Sequence, residues 1–162
     1  NVVILNTGRS PELNVALAKI DGLKAANPAL SVSLFGYTEW LMYTKVYFDY
    51  FCKYETYIPT VAYYNALSPQ TKRIEYKYRQ WFKEEMQGAL PRFALTGYDQ
   101  ASYFCQGLHR YGMNFSGSKA ENMHTPLQTP LHFRQVANGG RQNANFMLIH
   151  YKNNRTIESI TY

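Results

Sequence analysis

The chain has 162 residues, of which 46% are hydrophobic and 17% are charged. This length can bury a sizeable core in one domain, and this composition excludes a disordered protein. The formal net charge is +6, but glutamates interrupt the basic residues between Lys72 and Glu85. That spacing favours a solvated helix face over a track for nucleic acid. A membrane-spanning helix is also excluded, since no run of about 18 apolar residues occurs.

The start of the chain predicts a β-α-β unit. Residues 2–5 are typical of a buried strand, Ser10-Pro11 of a helix start, and residues 31–35 of a second strand. The apolar stripe of the intervening helix consists of Leu13, Ala16, Leu17, Ile20 and Leu23. Because a helix separates the two apolar runs, we expect a parallel sheet with a right-handed crossover.

The middle of the chain predicts two helices and an extended segment. Residues 41–54 are rich in aromatic side chains and suit a short helix. Residues 57–64 suit an edge strand or an extended segment, because they contain Pro59. Ser68-Pro69 is a second helix start, and the apolar face of the helix that follows consists of Ile74, Tyr78, Trp81 and Phe82.

The segment 92–112 predicts a strand that leads directly into a helix. Residues 93–95 form a short apolar run typical of a strand buried on both faces, and residues 96–98 form a tight connection. Asp99 then stands where a helix N-cap is expected. The apolar face of this helix consists of Ala101, Phe104, Cys105 and Leu108, and Gly112 ends it.

The last part of the chain changes character. A polar loop at 116–130 precedes three predicted strands, at residues 131–136, 146–151 and 156–160, with turn-forming residues between them. The elements together predict an α/β fold, with a parallel sheet, flanking helices and antiparallel strands at the C-terminal end. We expect a single α/β domain over residues 1–162.

The pattern F-A-L-x-G-Y-D at residues 93–99, followed by an amphipathic helix, resembles the late segment of type I periplasmic solute-binding proteins, the branched-chain amino-acid-binding family. Residues 1–8 (NVVILNTG) and 33–40 (SLFGYTEW) extend the resemblance. Within this family, the chain resembles envelope proteins of Bacteroidetes that join such a domain to LysM repeats. The resemblance implies the later part of a two-lobed binding protein in the periplasm or cell envelope. Crossovers between the lobes are then expected near residues 91 and 130.

The chain opens on Asn1 within a strand pattern and without a methionine, so we expect a piece of a longer protein. The resemblance implies an upstream lobe or domain as one partner of this piece. No LysM repeat occurs in the sequence, so the association with such repeats is implied by the resemblance alone.

A ligand site is expected where the loops after parallel strands gather at one edge of the sheet. The candidate ligand-binding residues there are Thr7, Ser10, Tyr37, Glu39, Trp40, Tyr98 and Asp99. Helix N-termini at Pro11 and Gln100 favour a carboxylate or similar anion. A structural role is the alternative for each: Ser10 and Asp99 as caps, Tyr98 and Trp40 as packing residues, and Glu39 as a solvated charge.

Neither a catalytic residue nor a metal or cofactor site is predicted, because the four histidines are scattered and no paired-cysteine motif occurs. Cys105 and His109 lie four residues apart, a spacing that would let an imidazole activate a thiol. Cys105 belongs to the predicted apolar stripe, however, which predicts a buried thiol. Two cysteines are too few for a disulfide scaffold.

The function predicted is a ligand-binding-type domain that takes a small solute, such as an amino acid or a cell-wall fragment, as the resemblance implies. The alternative is an interaction or scaffold module of a LysM-type peptidoglycan-associated protein. We also expect self-association that buries on the order of 1,200 Å² or more. The aromatic material for it is Tyr43, Tyr47, Phe48, Tyr50, Phe51, Tyr54, Tyr57, Tyr63 and Tyr64.

Overall fold

A computed structural model describes residues 1–118, 121 and 124–162. Part of the polar loop predicted at 116–130, namely residues 119, 120, 122 and 123, lies outside these described residues. The chain forms two compact units, one from residues 1–60 and 147–160 and the other from residues 61–146 and 161–162. The predicted crossovers near residues 91 and 130 concern the lobes of a larger protein and stay predictions.

Helices and strands alternate through most of the described chain, which is of the α/β class as predicted. In chain order the elements are β1 (Val2–Ile4), α1 (Ser10–Ala26), β2 (Ser33–Phe35), a 3-10 helix (Thr38–Tyr43), α2 (Thr44–Lys53), β3 (Tyr57–Thr60), α3 (Pro69–Phe82), α4 (Phe93–Tyr111), a second 3-10 helix (Gly112–Asn114), β4 (Phe133–Gln135), β5 (Arg141–Asn143), β6 (Met147–Tyr151) and β7 (Ile157–Thr161).

The first unit contains a mixed sheet with the strand order β1-β2-β3-β6-β7. β1, β2 and β3 are parallel, and β3 pairs with β6 in the antiparallel sense. The predicted β-α-β unit is therefore confirmed. Right-handed crossovers between successive neighbouring strands place α1 and α2 on the same face of the sheet.

The core of this unit lies between the sheet and that helical layer. Trp40 stacks on Phe51 with ring centroids 5.7 Å apart, and Phe51 meets the edge of Tyr151 at 5.2 Å. The fully buried side chains of this core are Leu13, Leu17, Leu34, Trp40, Phe51, Tyr54, Ile58, Ile149 and Tyr151. Because Tyr47, Phe51 and Tyr54 are all buried here, the prediction that they form an exposed association surface is wrong.

Two strand predictions in this unit are corrected. β1 is an edge strand with Val2 and Ile4 each 70% exposed, so it is not buried on both faces. β3 lies inside the sheet, although Pro59 predicted an edge strand. The Pro59 carbonyl accepts a hydrogen bond from the Thr38 hydroxyl (2.7 Å). A strand residue directs its carbonyl and its amide to the same side, so the Pro59 ring also lies on the side of β2. β2 has already ended there, at Phe35, so the missing amide of Pro59 removes no hydrogen bond between the two strands.

The second unit contains α3, α4 and the β4-β5 hairpin. α3 begins after Ser68 as predicted, but Trp81 and Phe82 are 70% and 60% exposed, so the predicted apolar face is not a core face. The sequence predicted that β4 pairs with β6, and this prediction is wrong. β4 pairs instead with β5, a short strand that was not predicted.

The strand and tight connection predicted over residues 93–98 are wrong, because α4 begins at Phe93 and continues without a break to Tyr111. Its predicted apolar face is wrong as well. Phe104 is 43% exposed, Leu108 is 53% exposed, and Cys105 is exposed. The buried side of α4 is formed by Leu95, Asp99, Tyr103 and Gly107. Two of these are not hydrophobic side chains, so the apolar pattern pointed to the opposite side of the helix.

We expect Phe51→Ala to lower the free energy of unfolding by about 3–5 kcal/mol, because it removes a fully buried ring that contacts Trp40, Tyr47 and Tyr151. Val46 lies on the same helix and its side chain is 74% exposed. Val46→Ala should therefore change the free energy of unfolding by less than about 0.5 kcal/mol. Urea denaturation followed by the fluorescence of Trp40, in a Trp81→Phe background, measures both. Equal effects of the two substitutions would contradict this assignment of the core.

Candidate functional site

The carboxyl ends of β1 and β2 lie at one edge of the first unit, because the two strands are parallel and in register. Residues 5–9 connect β1 to α1, and Gly36 and Tyr37 connect β2 to the 3-10 helix that begins at Thr38. Five of the seven predicted ligand-binding residues follow these strand ends. They are Thr7, Ser10, Tyr37, Glu39 and Trp40.

Hydrogen bonds join the two connections. The Trp40 indole N–H donates to the Thr7 carbonyl (2.7 Å), and the Tyr37 hydroxyl donates to the Asn6 side chain. The Thr7 hydroxyl donates to the Glu12 carboxylate and accepts from the Arg9 amide (3.1 Å). The edge is therefore held by direct bonds between the two loops, and Asn6 and Glu12, which sequence reasoning missed, take part in them.

Trp40 packs and does not present a free surface. Its side chain is fully buried, and Gly36 lies directly against its ring. A β-carbon at Gly36 would lie 2.2 Å from the ring, so only glycine leaves room for the indole. Of the two alternatives for Trp40, the packing role is the one that the structure supports.

Ser10 does not cap α1. The N-cap is Arg9, and the Ser10 hydroxyl makes a hydrogen bond with the Tyr47 hydroxyl (2.9 Å). Tyr47 also donates to the Ser10 carbonyl (3.1 Å). Ser10 therefore ties the first turn of α1 to α2, and its hydroxyl is occupied.

Glu39 and Tyr37 are both exposed at this edge. The Glu39 carboxylate lies beside Gly8, where a β-carbon would be 3.3 Å from one of its oxygens. Within the described part of the chain, it makes no hydrogen bond or ion pair. Tyr37 is 39% exposed. Two positive groups lie beside the neighbouring loop. One is the partial positive charge at the N-terminus of α1. The other is the Arg9 guanidinium, which is paired with Glu12 at 2.9 Å.

Tyr98 and Asp99 belong to α4 in the second unit, so the structure does not place them in a loop after a strand. Tyr98 is 39% exposed. Asp99 is fully buried and does not cap a helix end. The helix N-terminus predicted at Gln100 is likewise absent, because Gln100 lies inside α4.

The Asp99 carboxylate holds a turn of backbone instead. Its two oxygens accept hydrogen bonds from the amides of Leu127, Gln128 and Thr129, each at 2.8 Å, and the His124 ring lies 3.2 Å away. Three backbone donors compensate the burial of a carboxylate. The sequence offers no signal of this contact, because Asp99 is predicted at a helix start and its partners lie 28–30 residues further along the chain.

Gln128 completes this arrangement at the start of α4. Its side-chain oxygen accepts from the Arg92 amide (2.9 Å), and its side-chain nitrogen donates to the Arg92 carbonyl (3.2 Å) and to the Thr96 hydroxyl (2.9 Å). Arg92 is the N-cap of α4. The segment 127–129 therefore caps the helix from outside, through one amide side chain, while Asp99 holds the segment in place.

Cys52 and Cys105 are both free thiols. Cys52 is buried, whereas Cys105 is exposed, so the prediction that Cys105 is a buried thiol is wrong. No hydrogen bond joins Cys105 to His109 in the described part of the chain. Among the described residues, no group of three metal-ligating side chains comes together, and no helix is both long and apolar enough to cross a membrane.

Comparison of the chain with models of known protein families, with curated proteins and with solved structures finds no match.

Asp99→Asn should destabilise the second unit by about 3 kcal/mol or more, because the new amide group faces backbone donors in a buried site. The amides of residues 127–129 should also exchange faster with deuterium. Glu84→Gln makes the same chemical change at an exposed position and should alter neither quantity. Unchanged exchange at residues 127–129 in the Asp99→Asn variant would contradict the anchoring role.

Cys105 should react rapidly with a thiol reagent in the native chain, whereas Cys52 should react only after unfolding. Cys52 is 3% exposed, and burial raises the pKa of its thiol, which lowers the fraction of reactive thiolate. Titration of the native protein should therefore reveal one fast thiol, which is lost in Cys105→Ser. A fast thiol that persists in Cys105→Ser would show that Cys52 is accessible.

Proposed function

We propose that this chain is a ligand-binding-type domain of a bacterial cell-envelope protein, with a fold like that of type I periplasmic solute-binding proteins. Its ligand is a small solute, such as an amino acid or a cell-wall fragment. The sequence resemblance carried by residues 1–8 and 33–40 supports this proposal, whereas residues 93–99, its third part, lie inside α4 and do not support it. A location in the periplasm or cell envelope is part of the same proposal.

The observation that carries the proposal is the joined pair of loops at the carboxyl ends of β1 and β2. Ligands of open α/β sheets bind outside the carboxyl ends of the strands, most often where successive helices lie on opposite faces; here the two loops follow strands whose helices share a face. Here the bond from Trp40 to Thr7 and the bond from Tyr37 to Asn6 fix the two loops together. A fixed arrangement of polar groups loses less conformational entropy when a ligand binds.

The charges at this edge suit a ligand with both an ammonium and a carboxylate group. The exposed Glu39 carboxylate has no partner in the described part of the chain and would accept hydrogen bonds from an ammonium group. The Tyr37 hydroxyl lies in the same connection. The N-terminus of α1 favours a negative group on the neighbouring loop, whereas the Arg9 guanidinium is already paired with Glu12. An amino acid or a short peptide of the cell wall carries both groups.

The alternative, an interaction or scaffold module of a LysM-type peptidoglycan-associated protein, is favoured by a different observation. The outward side of α4 exposes apolar side chains along its length, with Phe93 at 70%, Leu108 at 53% and Phe104 at 43%. Exposed apolar surface of this kind is typical of protein interaction sites. A scaffold of this type would bind no small solute at Glu39.

Titration of the isotopically labelled chain with single amino acids and with soluble cell-wall peptides tests the proposal by nuclear magnetic resonance. We expect the largest shifts at the amides of residues 6–9 and 36–39. Glu39→Gln should weaken binding of the ligand by about tenfold or more, since it replaces a charged hydrogen-bond acceptor by a neutral one.

Glu84→Gln serves as the matched control and should bind as the parent chain does. Binding that leaves residues 6–9 and 36–39 unshifted would overturn the proposed site. The absence of binding by any of these solutes would favour the scaffold alternative.

A further inference from the structure

The outer edge of β1 presents unpaired backbone groups. The Ser33 amide donates to the Asn1 carbonyl (2.8 Å) and the Leu5 amide to the Phe35 carbonyl (3.4 Å), so residues 1, 3 and 5 direct their backbone groups towards β2. Since the direction alternates along a strand, the amides and carbonyls of Val2 and Ile4 point away from the sheet. This edge has two donors and two acceptors in a row.

β1 is short, with three residues, but nothing in its composition blocks pairing with another strand. Val2, Val3 and Ile4 form a β-branched run that contains no charge and no proline. Val2 and Ile4 are each 70% exposed. Free edges in proteins are commonly guarded by lysine, proline or a bulge. An unguarded edge of this composition is suited to pairing with another strand.

One flank of α1 is exposed on the side of the free edge of β1. One flank of α1 faces α2, because the Asp21 carboxylate accepts hydrogen bonds from Lys53 and Tyr54. Right-handed crossovers are expected to lay α1 over β1 and β2, and α2 over β2 and β3, so we infer that the opposite flank of α1 lies towards the free edge. That opposite flank is lined by Pro11, Glu12, Val15, Ala16 and Lys19.

This flank of α1 is complementary to itself. Its middle is formed by Val15 and Ala16, with Glu12 towards one end and Lys19 towards the other. If a second α1 packs in the antiparallel direction, each Glu12 faces the Lys19 of the other copy. Lys19 is exposed and makes no ion pair within the described part of the chain, and Glu12 remains about half exposed in its pair with Arg9.

The strand is complementary to itself in the same sense. When β1 pairs with a second β1 in the antiparallel direction, Val3 of each copy lies on the two-fold axis. The two Val3 residues form a non-hydrogen-bonded pair, because the backbone amide and carbonyl of each already bond to β2 of its own copy. Val2 of each copy then lies opposite Ile4 of the other, and each such pair exchanges two backbone hydrogen bonds. The axis is perpendicular to the sheet, so both α1 helices stay on one face.

We propose that this edge is an interface with a second copy of the chain, in which two five-stranded sheets join through β1 and the two α1 helices pack across the axis. One two-fold axis satisfies both the backbone groups and the pattern of charges, which is the reason to assign a second copy as the occupant. The interface does not rest on the proposed ligand site.

Sedimentation of the 162-residue chain at micromolar concentration tests the oligomeric state, and we expect a dimer. Lys19→Glu places two glutamates opposite each other at both ends of the paired α1 flanks and should weaken the dimer about tenfold or more. Lys45→Glu makes the same change on α2, outside this edge, and should have no effect. The double variant Glu12→Lys/Lys19→Glu restores the opposite charges and should recover the dimer.

Hydrogen exchange in the parent chain locates the interface without any substitution. The amides of Val2 and Ile4 should become protected as the protein concentration rises, while the other exposed amides stay unchanged. A monomer at tens of micromolar, or a dimer in which Val2 and Ile4 exchange freely, would overturn the proposal. A dimer that Lys19→Glu and Lys45→Glu weaken equally would also overturn it.

Discussion

The indole of Trp40 is the contact on which the first unit depends. It is fully buried, it stacks on Phe51, and its N–H donates to the carbonyl of Thr7 in the connection after β1. A tryptophan placed after the second strand thus packs into the core and also fixes the loop that follows the first strand. Gly36 makes this possible, since any larger residue there would collide with the ring. The positions of Tyr37 and Glu39 at the surface follow from this one buried side chain.

The second unit depends on a different kind of contact, a buried charge. The Asp99 carboxylate replaces its lost water by three backbone amides of residues 127–129, and Gln128 from the same segment caps the start of α4. A helix and a segment distant in sequence are thereby fixed together by hydrogen bonds where a core would ordinarily be apolar. Such a contact is costly to break, because removal of either partner leaves buried polar groups unsatisfied.

The features that could be predicted from the sequence are those that local chemistry determines. Ser10-Pro11 and Ser68-Pro69 identify helix starts because proline is compatible with the first turn of a helix, and α1 and α3 begin there. The alternation of strand, helix and strand from residue 2 to residue 35 requires parallel pairing, and β1 and β2 are parallel. Five of the candidate site residues follow these two strand ends, where topology alone would place them.

The errors come from contacts that are distant in sequence. Residues 93–95 are apolar for only three positions, a length at which a strand and a buried helical turn look alike. The inward side of α4 contains Asp99 and Gly107, and each is there for a partner that spacing does not reveal. Asp99 meets the amides of residues 127–129, and Gly107 leaves room for the Phe115 ring, which would lie 2.2 Å from a β-carbon. An apolar pattern therefore selects the wrong side of this helix.

We propose that a small solute binds at the edge that Trp40 fixes. A crystal structure of the chain grown with an amino acid ligand tests it most directly. We expect density for the ligand with its ammonium group within hydrogen-bond distance of the Glu39 carboxylate, beside the Tyr37 hydroxyl and the N-terminus of α1. Well-ordered crystals in which this edge is accessible but empty, or in which the ligand binds elsewhere, would contradict the claim.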